Sequence, residues 1–345
     1  MKDKLNLLPY AGTRPSLAGP PTRFERGAAV IGRVTLGVDA WLSESSVIRA
    51  DGHFVRAGRE LMLGPRATVH IAHDVYPTLI GDNVTVGEYG VVHACTVGDG
   101  CVIEDGAVIL DGSELEADIL LTVGSVVFPR TKLAGGFIYS GRPAKPERPL
   151  AHGELAERRD RLRGHIRATD IAPPRDDARR DFDSTVFIAN TATLRGKIVA
   201  APEAQVYYAC DLDAGSGEIV IGARSNVQDN SLLRTGGGRI VIGADSTIGH
   251  NVKLAACTIG DRSLIGIGSV VAAGTVVADD VFLAAGAATA PGQVLLSGMW
   301  VGSPARRIGD LDDAKRKIIS DTIPTYCEYA RELARVQAAA AVVTA

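Results

Sequence analysis

Apolar residues recur along this chain with a period of six, neither the 3.6 of a helix nor the two of a half-buried strand. An aliphatic side chain stands at Ile242, Ile248 and Leu254 and, after a one-residue phase slip, at Ile259, Ile265, Val271, Val277 and Leu283. An earlier stretch keeps the same rhythm at Ile80, Val86 and Val92, then Val97, Ile103 and Ile109. A glycine commonly follows the aliphatic residue, as at Gly81, Gly87, Gly98, Gly243, Gly249, Gly260 and Gly266. One inward aliphatic residue per short strand, with a small residue at the bend, predicts a β-helix in which three hexads complete a triangular coil. A single coil cannot bury its own aliphatics, so the coils must stack. An ordinary α/β sheet is the bland alternative, and the period does not supply the hand of the coil.

The pattern occurs twice. Residues 80–99 (IGDNVTVGEYGVVHACTVGD) and 242–261 (IGADSTIGHNVKLAACTIGD) match at an offset of 162, which relates Cys95 to Cys257 and Glu88 to His250. Two segments break the hexads. Residues 149–170 are charged and helical in character and lead into a Pro-containing stretch. Residues 311–339 read as a terminal helix interrupted or kinked at Pro324, where the ring removes a backbone donor. The expected organisation is a first β-helix domain with its helix over residues 1–170, a linker over 171–181, and a second β-helix domain with a C-terminal helix over 182–345.

Composition narrows the function classes. Aromatics are only 5% and glycines number 39 in 345 residues, above the usual ~7%, which suits a thin core of stacked strands. A net charge of −3, with no basic run interleaved with aromatics, gives no footprint for nucleic acid. No apolar run reaches the ~18 residues of a membrane span, and the N-terminal stretch does not read as a secretory signal. Five scattered cysteines without a CxxC read as buried, reduced core fillers in a cytoplasmic protein.

With the hexads in place, both halves resemble the γ-class carbonic anhydrases and the related hexapeptide-repeat acyltransferase-like proteins. The resemblance covers about residues 22–148 and 182–309. It rests on VIRADG (47–52), YPTLIGDNVTVGEYGVVHACTVGDG (76–100) and SGRPAK (140–145) in the first copy. In the second it rests on IGARSNVQDNSLLR (221–234), IGADSTIGHNVKLAACTIGDRSLIGIGS (242–269) and GSPARRI (302–308). It implies two tandem left-handed parallel β-helices that pack in trimer-like fashion in a homo-oligomer. It also implies Zn2+, or another divalent transition metal, held between neighbouring β-helices by three histidines.

The motifs implied by the resemblance are divided between the copies. Arg49 and Asp51 match its RGD-like triplet, for which the second copy is expected to read Asp211-Leu212-Asp213. Asn226, Gln228 and Asp229 match an NxQD turn that the first copy lacks; the first copy reads as about four residues shorter there, with Gly64 set against Gly222. The histidine a few residues later is His70, with His73 as the alternative, and Arg234 in the second copy. In GHxxxxH the first position is Glu88 or His250 and the last is His93 or Ala255.

Two metal sites follow from that division. One uses His70 and His93 with Glu88 from a neighbouring first copy, since His2Glu with an open position is an established zinc set. The other is composite, with His250 of the second copy completing His70 and His93. Arg49, Asp51, Gln228 and Asp229 are the candidate catalytic or orienting residues. Arg49 and Asp51 read equally well as a structural ion pair, Glu88 as an interface charge, and Tyr207 and Tyr208 as packing. His53, His73, His152 and His165 read as structural or solvated.

The implied activity is that of a zinc-bound hydroxide acting on CO2 or another small electrophile. Two alternatives stand beside it. One is acyl transfer from acyl-CoA, with His250 as base. The other is a catalytically inactive assembly scaffold.

Overall fold

The structure, a computed structural model, describes residues 6–21, 23–169 and 182–342. The chain divides into two compact units, Met1–Ala172 and Pro173–Ala345. The linker expected over 171–181 lies outside the described residues. Each unit is a stack of parallel coils followed by a helix, which is the fold class that the six-residue period predicts.

In the first unit three ladders of inward side chains run along the stack, one per face. Leu42, Leu63, Val86, Ile103 and Leu121 pair in register on one face. Ile48, Val69, Val92, Ile109 and Val127 form the second. Ala57, Ile80, Val97, Leu115 and Leu133 form the third. All are buried in one continuous core. The second unit repeats this with ladders such as Val206, Val227, Ile248, Ile265 and Leu283.

The glycine that commonly follows a ladder residue has a steric cause. A Cβ on Gly81 would stand 2.7 Å from the Asp99 amide nitrogen of the next coil. The Asp99 Oδ1 atom fills the same space to accept the Asp82 amide at 2.7 Å. The same arrangement recurs at Gly58, Gly87, Gly243 and Gly260: glycine makes room, and an aspartate of the next coil caps the amide of the residue that follows the glycine.

Each unit carries its own helix. Helix α1 (Glu154–Ala168) buries Leu162 and Ile166 against Met62, Val102, Leu120 and Ile138. It also reaches the coil corners with arginines, Arg163 Nε donating to Thr85 Oγ1 at 2.7 Å and Arg159 Nη2 to the Gly100 carbonyl at 2.7 Å. Helix α2 (Asp313–Val342) runs on through Pro324 as one helix of 30 residues, so of the interruption or kink expected there the interruption does not occur. It packs with aromatic and apolar residues, Tyr326, Tyr329 and Leu333 being buried. The expectation that Tyr207 is packing agrees with its position: its ring meets Tyr326 edge-on and its hydroxyl donates to the Tyr326 carbonyl at 2.7 Å. All five cysteines are buried thiols, and burial pushes Cys101 and Cys257 up to about 12.

Matching the units strand by strand corrects the constant offset. Ala29–Leu36 and Val47–Ala57 correspond to Thr193–Ala200 and Asp211–Ile221. From Ala29 to His70 the counterpart therefore lies 164 residues on (Thr193, Arg234), and from Thr78 it lies 162 on (Ile240). Gly222 corresponds to Gly58, not Gly64. The first unit is two residues longer, not four shorter, and the extra length sits in the loop over 71–77. The counterpart of Arg49-Ala50-Asp51 becomes Asp213-Ala214-Gly215 in place of Asp211-Leu212-Asp213, so the second unit has lost both the Arg and the Asp.

The corner packing makes a prediction. Gly81→Ala should lower stability by about 1–3 kcal/mol, because backbone must shift to admit the methyl. Gly164→Ala, in α1 with nothing within 4 Å of the added Cβ, should raise stability by up to ~1 kcal/mol. Urea midpoints of the two variants check both signs.

Candidate metal centre

The pairing of adjacent coils sets two histidines side by side. His70 ends strand Thr68–His70, His93 ends strand Val91–His93, and the two residues are register partners. Both are buried. His70 Nδ1 lies 3.2 Å from His93 Nε2. The other nitrogen of each ring is held by a carboxylate: His70 Nε2 is 3.0 Å from Asp51 Oδ1, and His93 Nδ1 is 2.6 Å from Asp111 Oδ1. Asp51 is itself bonded to the Arg49 guanidinium, and both of those side chains are wholly buried.

These contacts decide the tautomers. In the neutral rings a carboxylate can only accept, so His70 carries its proton on Nε2 and His93 on Nδ1. The lone pairs of His70 Nδ1 and His93 Nε2 then face one another, an arrangement that a cation or a proton between them stabilises. For zinc–nitrogen bonds of 2.0–2.1 Å, two ligands of a tetrahedral ion stand about 3.3 Å apart, and the observed 3.2 Å fits that spacing. Carboxylates on the far side of ligand imidazoles are the usual outer support of such centres. The donor set therefore fits a divalent metal of the zinc type. Cys95, two residues beyond His93, does not compete: burial first and the Asp111 charge second push its thiol up, so it stays protonated at neutral pH.

The second unit repeats one such pair. His250 is fully buried, with Nδ1 3.2 Å from Asp229 Oδ2 and Nε2 3.4 Å from the Tyr326 hydroxyl on α2. Asp229 is fixed in turn by the Tyr208 amide at 3.0 Å. Gln228 turns its amide nitrogen to Asn226 Oδ1 at 3.1 Å. Where the first unit has its histidine pair, the second has ion pairs: Arg195 meets Asp211 at 2.8 Å and Asp213 at 3.1 Å, and Arg234 meets Asp211.

The remaining candidate residues fall elsewhere. His73 sits at a left-handed corner with φ 42°, half exposed beside Asp74. Glu88 is half-buried at the corner before strand Val91–His93, where its amide donates to Asp105 Oδ1 at 2.8 Å. Among the described residues, Glu88 and the two histidines of its own unit share no hydrogen bond or ion pair. Two residues escape a reading of the sequence. Asp111 lies 18 residues after His93, the same step that relates Thr96 to Glu114; that step was the signal for it. Tyr326 arrives on a helix whose docking the hexads do not encode.

No family model matches the chain. The chain is similar to mitochondrial gamma carbonic anhydrase 2 of Arabidopsis thaliana, with 34% identity over 133 residues, 37% of this chain and 48% of that protein. It is also similar to protein YrdA of Escherichia coli, with 32% identity over 170 residues, 48% of this chain and 92% of that protein. The chain spans about half the length of the plant carbonic anhydrases it matches, 48% and 49%. A putative acetyltransferase from Desulfovibrio desulfuricans has a TM-score of 0.56 at 15% identity, covering 92% of this chain and 78% of that one; this is a likeness of fold. No helix among the described residues is long and apolar enough to cross a membrane.

The buried Arg49–Asp51 pair supports His70 and should be costly to break. Asp51→Ala should lower stability by about 3–5 kcal/mol, because it takes away the carboxylate paired with a buried guanidinium. Arg49→Met with Asp51→Leu should cost less than Asp51→Ala alone. Urea unfolding of the three variants measures the difference.

Proposed function

Because the chain belongs to the γ-carbonic-anhydrase-like hexapeptide-repeat family, we propose that it is a metal-dependent lyase or hydratase acting on CO2 or a comparably small electrophile. Its ligands in this reading are His70 and His93 of a first unit and His250 of a second unit of the assembly. The observation that carries the proposal is the way histidines and carboxylates are kept and lost together. His70 pairs with Asp51, His93 with Asp111 and His250 with Asp229. The strand-matched positions of the opposite unit read Arg234 and Gly215, Ala255 and Ala273, Glu88 and Pro65. Each pair survives whole in one unit and is absent whole from the other, which supports one complete ligand set per chain.

A divalent metal held by three neutral imidazoles lowers the pKa of water toward ~7 and so supplies a nucleophile at neutral pH. The chain's own residues prepare that site. Arg49 compensates the charge of Asp51, and Asp51 fixes the tautomer and orientation of His70. Asp229, anchored by the Tyr208 amide, holds one edge of His250. Asn226 Oδ1 accepts from the Gln228 amide nitrogen and so fixes that side chain. The first-unit alternative, with Glu88 as third ligand, lacks a pairing of this kind. The resemblance further implies a homo-oligomer of packed β-helices, which the reading retains.

Metal content and CO2 hydration of the purified chain and its variants test the proposal. One metal per chain is expected. His250→Ala should lose the metal and lower kcat/KM at least ~100-fold, as loss of a metal ligand implies, while Glu88→Ala keeps both. Retention of metal and activity by His250→Ala, or their loss in Glu88→Ala, would overturn the composite set, and two metals per chain would contradict a single site.

A further inference from the structure

His93 is the more exposed of the two paired imidazoles: its side chain is 10% exposed against 2% for His70. Its ring is also held differently. Asp51, which supports His70, is wholly buried and anchored by Arg49. Asp111, which supports His93, sits at the corner after strand Val108–Ile109, with its side chain 41% exposed. The contact is nonetheless the shorter of the two, 2.6 Å against 3.0 Å. The coil step places it: strand Val108–Ile109 lies beside strand Val91–His93, with Val91 opposite Val108 and Val92 opposite Ile109. The carboxylate two residues beyond Ile109 thus comes to the ring edge of the residue after Val92. In the second unit the corresponding step carries Ala255 and Ala273, so imidazole and carboxylate are missing together, although the strands that would carry them still pair.

We propose that Asp111 is a positioning residue for His93: it accepts the Nδ1 proton and so keeps the Nε2 lone pair directed at His70 Nδ1, ready for a metal. This rests on the metal reading above, but its first consequence does not need a metal. A neutral imidazole in water favours the proton on Nε2 only slightly, so one charge-assisted bond at Nδ1 suffices to reverse the choice. With the tautomer reversed, Nε2 would carry a proton and could not bind a cation without first losing it. Asp111 therefore spares metal binding a proton shift off Nε2. Its cost in fold stability is small because the side chain is partly solvated and lies outside the aliphatic ladders.

The test uses the full chain, with Asp111→Ala and Asp111→Asn. Zn2+ affinity, measured by chelator competition, should fall ~10–100-fold in Asp111→Ala, the range for loss of such an outer partner, and return to within a few fold of the parent in Asp111→Asn, whose amide oxygen still accepts from Nδ1. Urea midpoints should stay together across the three proteins. Ring 15N shifts of the metal-free chain should show His93 protonated at Nδ1, moving toward Nε2 in Asp111→Ala. Unchanged affinity and unchanged ring shifts in Asp111→Ala would overturn the proposal, as would an affinity loss that Asp111→Asn does not rescue. If the parent chain fails to bind Zn2+, the metal reading fails, and the 15N shifts alone then decide whether Asp111 sets the tautomer.

Discussion

Register between stacked coils is the constraint on which the rest of this protein depends. With one aliphatic residue per strand pointing inward, a coil can slide on its neighbour only in whole-register steps, because a slip would take every ladder residue out of its layer. The same lock that aligns Val69, Val92 and Ile109 aligns whatever stands just beyond them. His70 falls beside His93 for this reason, and Asp111 beside His93 one coil later. Hydrophobic burial, which has no directional preference of its own, thus yields atom-level placement of polar groups at the corner. The glycine corners reinforce it, since at Gly58, Gly81, Gly87, Gly243 and Gly260 an aspartate of the next coil fills the space the glycine leaves and caps the following amide.

That rigidity explains how chemistry can be divided between two copies while the scaffold stays intact. The polar positions just beyond the ladders lie outside the aliphatic core, so the second unit holds Arg195, Arg234, Asp211 and Asp213 as ion pairs where the first holds imidazoles. Guanidinium groups bring their own positive charge to that corner and satisfy the carboxylates without a metal. The reverse exchange occurs at the other corner, where His250 and Asp229 stand in the second unit and Glu88 and Pro65 in the first.

Much of this was legible in the sequence because the hexad is so regular. The β-helix follows from the spacing of Ile80, Val86, Val92 and their successors, and the two helices from the charged breaks after each block. The sequence misleads where the regularity lapses. The loop over 71–77 adds two residues to the first unit, and matching Gly64 rather than Gly58 to Gly222 shifted the Arg49–Asp51 correspondence by two. Pro324 reads as an interruption or kink because its missing donor costs one helix hydrogen bond, but the burial of Ile319 and Ile323 before it and of Tyr326, Tyr329 and Leu333 after it holds the helix on both sides. Asp111 is hard to read in the sequence because its partner lies 18 residues back, a separation that acquires meaning only once the coil length is known. Tyr326 depends on how α2 docks, which no local pattern encodes.

In the proposed centre three imidazoles, each backed by its own carboxylate, make one metal set from two unequal copies of one scaffold. X-ray absorption at the zinc edge of the zinc-loaded full chain tests this most directly. Three imidazole nitrogens at about 2.0–2.1 Å with one further light ligand are expected. A first shell with only two imidazoles and a protein carboxylate would contradict it.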